Sequence, residues 1–150
     1  MQLLYCRLMI LRSNDFQHNE LMDKKFSYRG GNISPHLKWE DFPTKTRGFA
    51  ISCNDPDASV GDWIHWLVHS IPANITEISQ GGPVLGIEVK NDYGKIGYGG
   101  PAPPSGTHRY FFKVYALDTE NLENVNKNNF ISKVKEHTIE SAEIIGLYKA

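Results

Sequence analysis

From His108 to Asp118 the chain runs His-Arg-Tyr-Phe-Phe-Lys-Val-Tyr-Ala-Leu-Asp, with no glycine or proline and five aromatic or β-branched residues. Such a run reads as a long β-strand. Side chains alternate across a strand with period two, so His108, Tyr110, Phe112, Val114 and Ala116 share one mostly apolar face, while Arg109, Phe111, Lys113, Tyr115 and Leu117 take the other. His108 and Tyr110 therefore point the same way. A sheet built around this strand is the first constraint on the fold.

Further strands are expected at Leu4–Leu11, Lys24–Tyr28, Gly48–Asn54, Trp63–Ile71 and Ile87–Lys90, each bounded by Gly, Pro, Asn or Asp. From Asn129 the pattern changes. Phe130, Ile131, Val134, Thr138, Ile139, Ala142 and Ile145 form a helical stripe, with Asn128 or Asn129 as N-cap and Gly146 as its end. No internal repeat or linker divides the 150 residues. The expected architecture is a single domain, mainly β: a sandwich of antiparallel sheets with a C-terminal α-helix.

Sixteen basic and 17 acidic side chains leave a net charge of −1, with no block of like charges, which disfavours nucleic-acid binding through a basic face. Cys6 and Cys53 have no short metal-type spacing and are too few for a disulfide framework. A cytoplasmic protein without metal or cofactor is expected. The apolar start is broken by Arg7 and Arg12 and lacks a small-residue cleavage pattern, so it fits neither a signal peptide nor a membrane span. Met9 offers a second possible start, which would make residues 1–8 a dispensable extension.

The stretch Gly97–Tyr110 holds four glycines and three prolines and feeds directly into the long strand. Glycines let backbone N–H groups approach a ligand, and prolines hold a loop open. In the strand beginning at Trp63, period-two alternation sets Trp63, His65, Leu67 and His69 on one face. Just before it, Asp55-Pro56-Asp57 places two carboxylates around a turn. Two Asp, two His and a Tyr brought together can bind a metal, run acid–base chemistry or hold a small polar ligand. Spacing alone leaves these three open. Asn91-Asp92-Tyr93-Gly94 reads as a turn leading toward the loop, with Tyr98 near its rim, and Trp39 and Trp66 as core.

Four segments resemble the phosphatidylethanolamine-binding proteins, above all their short bacterial branch of Raf kinase inhibitor-like proteins of the YbhB/YbcL type. They are Gly31-Asn32-Ile33-Ser34-Pro35-His36-Leu37-Lys38-Trp39, Asp55-Pro56-Asp57-Ala58 with Trp63-Ile64-His65-Trp66-Leu67-Val68, Gly99-Gly100-Pro101-Ala102-Pro103-Pro104-Ser105-Gly106, and the strand His108–Leu117. The resemblance implies a β-sandwich with an anion pocket at one end. Family members accept phosphate, acetate, cacodylate or a phosphoethanolamine headgroup there. Position by position, it implies a pocket using Asp55, Asp57, Trp63, His65, Ala102, Pro103, Pro104, His108 and Tyr110. The chain departs from the family pattern at Ser59 and His36, where proline is usual, and at Ala102, where the bacterial loop often has cysteine.

Two carboxylates should repel an anion. An Asp is therefore expected to act by orienting and charging a histidine, with Tyr110 and loop N–H groups adding neutral donors. The leading expectation is a non-enzymatic binding protein for a small anion or phospho-headgroup, with regulation of a protein partner left open. One alternative is a phospho-ester hydrolase using the Asp/His cluster, although no nucleophile stands beside a base in an identifiable motif. The other is a kinase or protease inhibitor acting by protein contact. Pairing of two copies through a sheet edge is left open.

Overall fold

The computed structural model describes residues 8–150. Expectations for the first seven residues, including Cys6, the start of the first strand and a dispensable leading segment, lie outside them. Two sheets form. The smaller joins β1 (Ile10–Arg12), β3 (Leu37–Glu40) and β6 (Glu77–Ile78) in the order β1-β3-β6. The larger has six strands in the order β2-β9-β8-β4-β5-β7: β2 (Glu20–Leu21), β9 (Thr138–Lys149), β8 (Thr107–Leu117), β4 (Gly48–Asp55), β5 (Trp63–Pro72) and β7 (Ile87–Glu88). All pairings are antiparallel except β2 with β9. The expected mainly β sandwich is the fold observed.

The alternation of β8 explains how the layers assemble. Tyr110, Phe112, Val114 and Ala116 enter the main core, together with Leu37, Trp39 and Ile78 of the small sheet and Trp66 of β5. Tyr115 and Leu117 face the opposite side and join a second cluster with Phe130 and Val134 of α1 (Phe130–His137). The six-stranded sheet is thus covered on one face by the small sheet and on the other by the helix. Each large side chain buried in this way contributes roughly 1.5–3 kcal/mol.

Two elements differ from the sequence expectation. Lys24–Tyr28 is not a strand: Lys24–Phe26 forms a 3-10 turn, capped by Asp23, which accepts the Lys25 N–H at 2.9 Å, and Phe26 is pinned in the core. The helix is the second case. It stops at His137, where Thr138 turns to extended backbone, and the remainder of the stripe becomes β9. That segment carries β-branched Thr138, Ile139, Ile144 and Ile145, and pairs with β8 from Leu117↔Thr138 to Thr107↔Lys149. Long-range pairing overrides the local helical spacing. Gly146 accordingly does not end a helix. It sits within β9, where an added Cβ would meet Met22 Sδ at 2.5 Å.

Candidate functional site

Three strands of the large sheet end together. Asp55 closes β4, Trp63 and His65 open β5, and His108 and Tyr110 open β8, with Asp55 paired to Trp63 and its neighbour Asn54 to Phe111. Between them lies a cavity of about 180 Å³. Asp55, Trp63, His65, His108 and Tyr110 line it from the strands, and Ala102, Pro103 and Pro104 from the loop. Eight of the nine residues singled out from the sequence therefore converge. Ala58, Ser59, Val60 and Tyr93 complete the wall.

The ninth, Asp57, is not part of that wall. Its carboxylate turns to Arg109, accepting from the backbone N–H, Nε and Nη2, each at 2.9 Å. This fork holds its pKa down at about 2, and the group serves to tie the turn after β4 to the start of β8.

Asp55 is buried, and both of its oxygens are occupied. Oδ2 lies 2.6 Å from His108 Nδ1, and Oδ1 accepts the Asp57 N–H at 2.7 Å. The carboxylate thus holds the proton of His108 on Nδ1 and leaves Nε2 as the nitrogen for a ligand. When the ring is protonated, Nε2–H becomes a charged donor; when it is neutral, Nε2 is a bare lone pair.

His65 behaves differently from the charged donor expected of it. Its Nδ1 donates to the Gly99 carbonyl at 2.6 Å, and burial pushes its pKa below the ordinary histidine value despite that bond and the nearby Asp55. The neutral ring offers Nε2 as an acceptor. Its orientation comes from a bulge, because Cys53 pairs with Trp66 and Asn54 with Ile64, leaving His65 as the extra residue. The bulge puts His65 and Trp66 on the same side of the sheet and breaks the simple alternation. His69 consequently does not share the face of His65; it lines a separate surface cavity with Ile87 and Val125 and contacts Ser70 Oγ at 2.8 Å.

Tyr110 is 1% exposed, and its hydroxyl, close to the Asp55 carboxylate, makes no hydrogen bond of ordinary geometry among the described residues. Burial first, and then the neighbouring Asp55 charge, raise its pKa, so it remains a protonated donor. The Trp63 indole N–H is likewise buried without a partner among the described residues. Orphan buried donors cost free energy and call for an acceptor.

The loop's glycines have a structural purpose rather than the ligand-facing one expected. The N–H of Gly97 goes to Val89 O, that of Gly99 to His65 O and that of Gly100 to Asn32 Oδ1. A Cβ on Gly99 would meet the Tyr93 ring at 2.4 Å, and one on Gly100 would meet Phe26 O at 2.1 Å. Glycine lets this loop pack onto its neighbours, and the Ala102 N–H is left without a partner among the described residues.

Tyr93 is one of the wall residues that sequence reasoning missed. Its ring stacks on Tyr28 at 4.1 Å, meets Trp63 and His65 edge-on at 5.6 Å each, and donates its hydroxyl to Gly100 O at 2.7 Å. It was legible only as part of a turn. Val60, 76% exposed at the cavity wall, carries a signal that was available: a bare apolar side chain in a polar loop. Tyr98 does not reach the rim. It donates to Phe26 O at 2.7 Å and packs against Trp66.

Among the described residues no three His, Cys, Asp or Glu side chains gather closely enough to hold a metal ion, and no helix is long and apolar enough to cross a membrane.

These features define a class: a β-sandwich with an aromatic, histidine-bearing cavity at one end of its larger sheet. Residues 12–149 match the family model described as phosphatidylethanolamine-binding protein. The chain belongs to that family. A UPF0098 protein of Aquifex aeolicus is 40% identical over 152 residues, covering 95% of this chain and 89% of the relative. YbhB of Escherichia coli is 41% identical over 129 residues, covering 77% and 82%. Among solved structures, E. coli YbcL, described as a new member of the mammalian family, superposes with a TM-score of 0.90 at 31% identity, covering 96% of this chain and 99% of that one. A homologue from Chlamydia trachomatis gives a TM-score of 0.88 at 34% identity, covering 95% and 98%.

Proposed function

We propose that this chain is a non-enzymatic binding protein for a small oxyanion of the phosphate or phosphoethanolamine class, held in the cavity between β4, β5 and β8. The observation that carries this reading is the orphan Tyr110 hydroxyl, buried beside the Asp55–His108 pair in a space of about 180 Å³. Tyr110 O–H and the protonated His108 Nε2–H donate to anionic oxygens, and the Ala102 N–H adds a neutral donor. His65 Nε2 accepts from a P–OH, so a monoprotonated phosphate suits the site better than a fully ionised one. The apolar wall of Trp63, Pro103 and Pro104 receives the remainder of the ligand.

Calorimetric titration with phosphoethanolamine tests this, with sulfate as an oxyanion that carries no apolar body. Both bind the wild-type protein saturably, and His108→Ala abolishes most of the binding. Unchanged affinity for both in His108→Ala would rule out the His108 donor.

The hydrolase reading rests on the same Asp55–His108 pair, which resembles the base half of a catalytic triad. Among the described residues no hydroxyl or thiol hydrogen-bonds to His108, so binding is the better-supported reading. Turnover of p-nitrophenyl phosphate that disappears in His108→Ala would reverse this preference.

A further inference from the structure

A second cavity, of about 220 Å³, lies on the opposite face of the six-stranded sheet, beside α1. Ser52 of β4, Leu67 of β5 and Tyr115 of β8 form its floor, and Phe130 of α1 one wall. The strands' alternation separates it from the first site: Cys53 and Val114 pack into the main core, and the neighbouring Ser52 and Tyr115 face the helix.

The floor holds an incomplete hydrogen-bond pair. Ser52 Oγ and Tyr115 Oη lie 3.1 Å apart, and both residues are more than nine-tenths buried. Two hydroxyls sharing one bond consume one proton. The second proton has no acceptor among the described residues, and a buried donor of that kind is costly unless something supplies an oxygen.

The rim carries three lysines and one carboxylate. Lys113 faces Glu143 at 3.5 Å and Lys127 faces Asp92 at 2.9 Å, whereas Lys135 has no acidic partner among the described residues. The one carboxylate on the rim, Asp62, is held by Asn54 Nδ2 at 2.7 Å. Leu67 and Phe130 present apolar surface between floor and rim, and Ile131 is 41% exposed at the edge. Two donors set against an apolar wall suit a single, singly charged acceptor group. A phosphate would leave oxygens unpaired against hydrocarbon.

We propose that this second cavity binds a small amphipathic carboxylate. Its oxygens take the free proton of the Ser52–Tyr115 pair and the Lys135 ammonium, and its apolar body lies on Leu67 and Phe130. This site is independent of the anion cavity, and either can fail without the other.

Titration with benzoate, followed by amide ¹H–¹⁵N shifts, tests the assignment, with benzyl alcohol as the uncharged comparison. Saturable shifts are expected around Tyr115 and along α1, resolved from any shifts at His65 and His108 that report the anion cavity, with about tenfold weaker binding of the alcohol at α1. Ser52→Ala combined with Tyr115→Phe removes both hydroxyls, a change that is close to neutral for folding because no orphan remains, and weakens benzoate about tenfold. Lys135→Gln, an exposed change with little effect on the fold, weakens it about threefold. Shifts around Tyr115 and α1 that are absent or do not saturate, or unchanged affinity in both variants, would overturn the proposal.

Discussion

Replacing Tyr110 with phenylalanine deletes one oxygen from a ring that is 1% exposed and otherwise keeps its contacts, including the edge-on packing against His65 at 5.1 Å. Among the described residues that oxygen has no hydrogen-bond partner of ordinary geometry. An unsatisfied buried hydroxyl costs about 1–3 kcal/mol, so its removal relieves strain rather than breaking a bond. Thermal stability is therefore unchanged or raised, by about 2–4 °C per kcal/mol recovered in a chain of this size.

Binding moves the other way. A hydrogen bond to a charged group is worth about 1.5–3 kcal/mol, and its loss weakens phosphoethanolamine about tenfold to a hundredfold. Differential scanning fluorimetry of the free protein and calorimetric titration of the same sample read the two effects separately. A hydroxyl that serves the fold, bonded to Asp55, predicts the reverse pattern: a lowered melting temperature with affinity intact. That result would refute the assignment of Tyr110 as a ligand donor.

Asp57→Asn loosens the fork to Arg109, an exposed contact, and lowers stability by no more than about 1 kcal/mol, while phosphoethanolamine affinity stays within about twofold; a loss comparable to that of His108→Ala would return Asp57 to the cavity. Burial depresses the pKa values of both His65 and His69, so below the ordinary histidine value the unfolded chain binds protons that the native chain refuses. Their contribution is fully present above about pH 6.5 and is lost as the pH falls through the depressed native values, so urea midpoints decline from pH 7 to pH 5, and a flat or rising midpoint contradicts this. Gly99→Ala forces a Cβ to within 2.4 Å of the Tyr93 ring, costing about 1–3 kcal/mol in a urea titration and displacing the cavity wall.

The contrast between β8 and β9 shows what the amino-acid pattern could carry. β8 is legible because its period-two alternation agrees with its burial: Tyr110, Phe112, Val114 and Ala116 face one core, and Tyr115 and Leu117 the other. In β9 the apolar residues also match a helical stripe, and only the eleven-residue partner strand decides between the two. A local pattern cannot report a partner that lies about 30 residues away in sequence. The short strands β2 and β6, two residues each, are created by pairing alone and leave no pattern to read.

The same limit acts inside the site. That His108 and Tyr110 point together follows from alternation within one strand, and the structure keeps that orientation. That His65 lines the same cavity depends on the extra residue between the Cys53–Trp66 and Asn54–Ile64 pairs. Regular alternation would have set Trp66 opposite His65, yet the bulge lets Trp66 fill the main core while His65 still reaches Gly99 and the cavity. One inserted residue thus sets a neutral histidine on the wall across from the Asp55–His108 pair, an acceptor facing a donor. Relieving the bulge, by deleting one residue between Trp63 and Trp66, cannot preserve both the core position of Trp66 and the ring of His65.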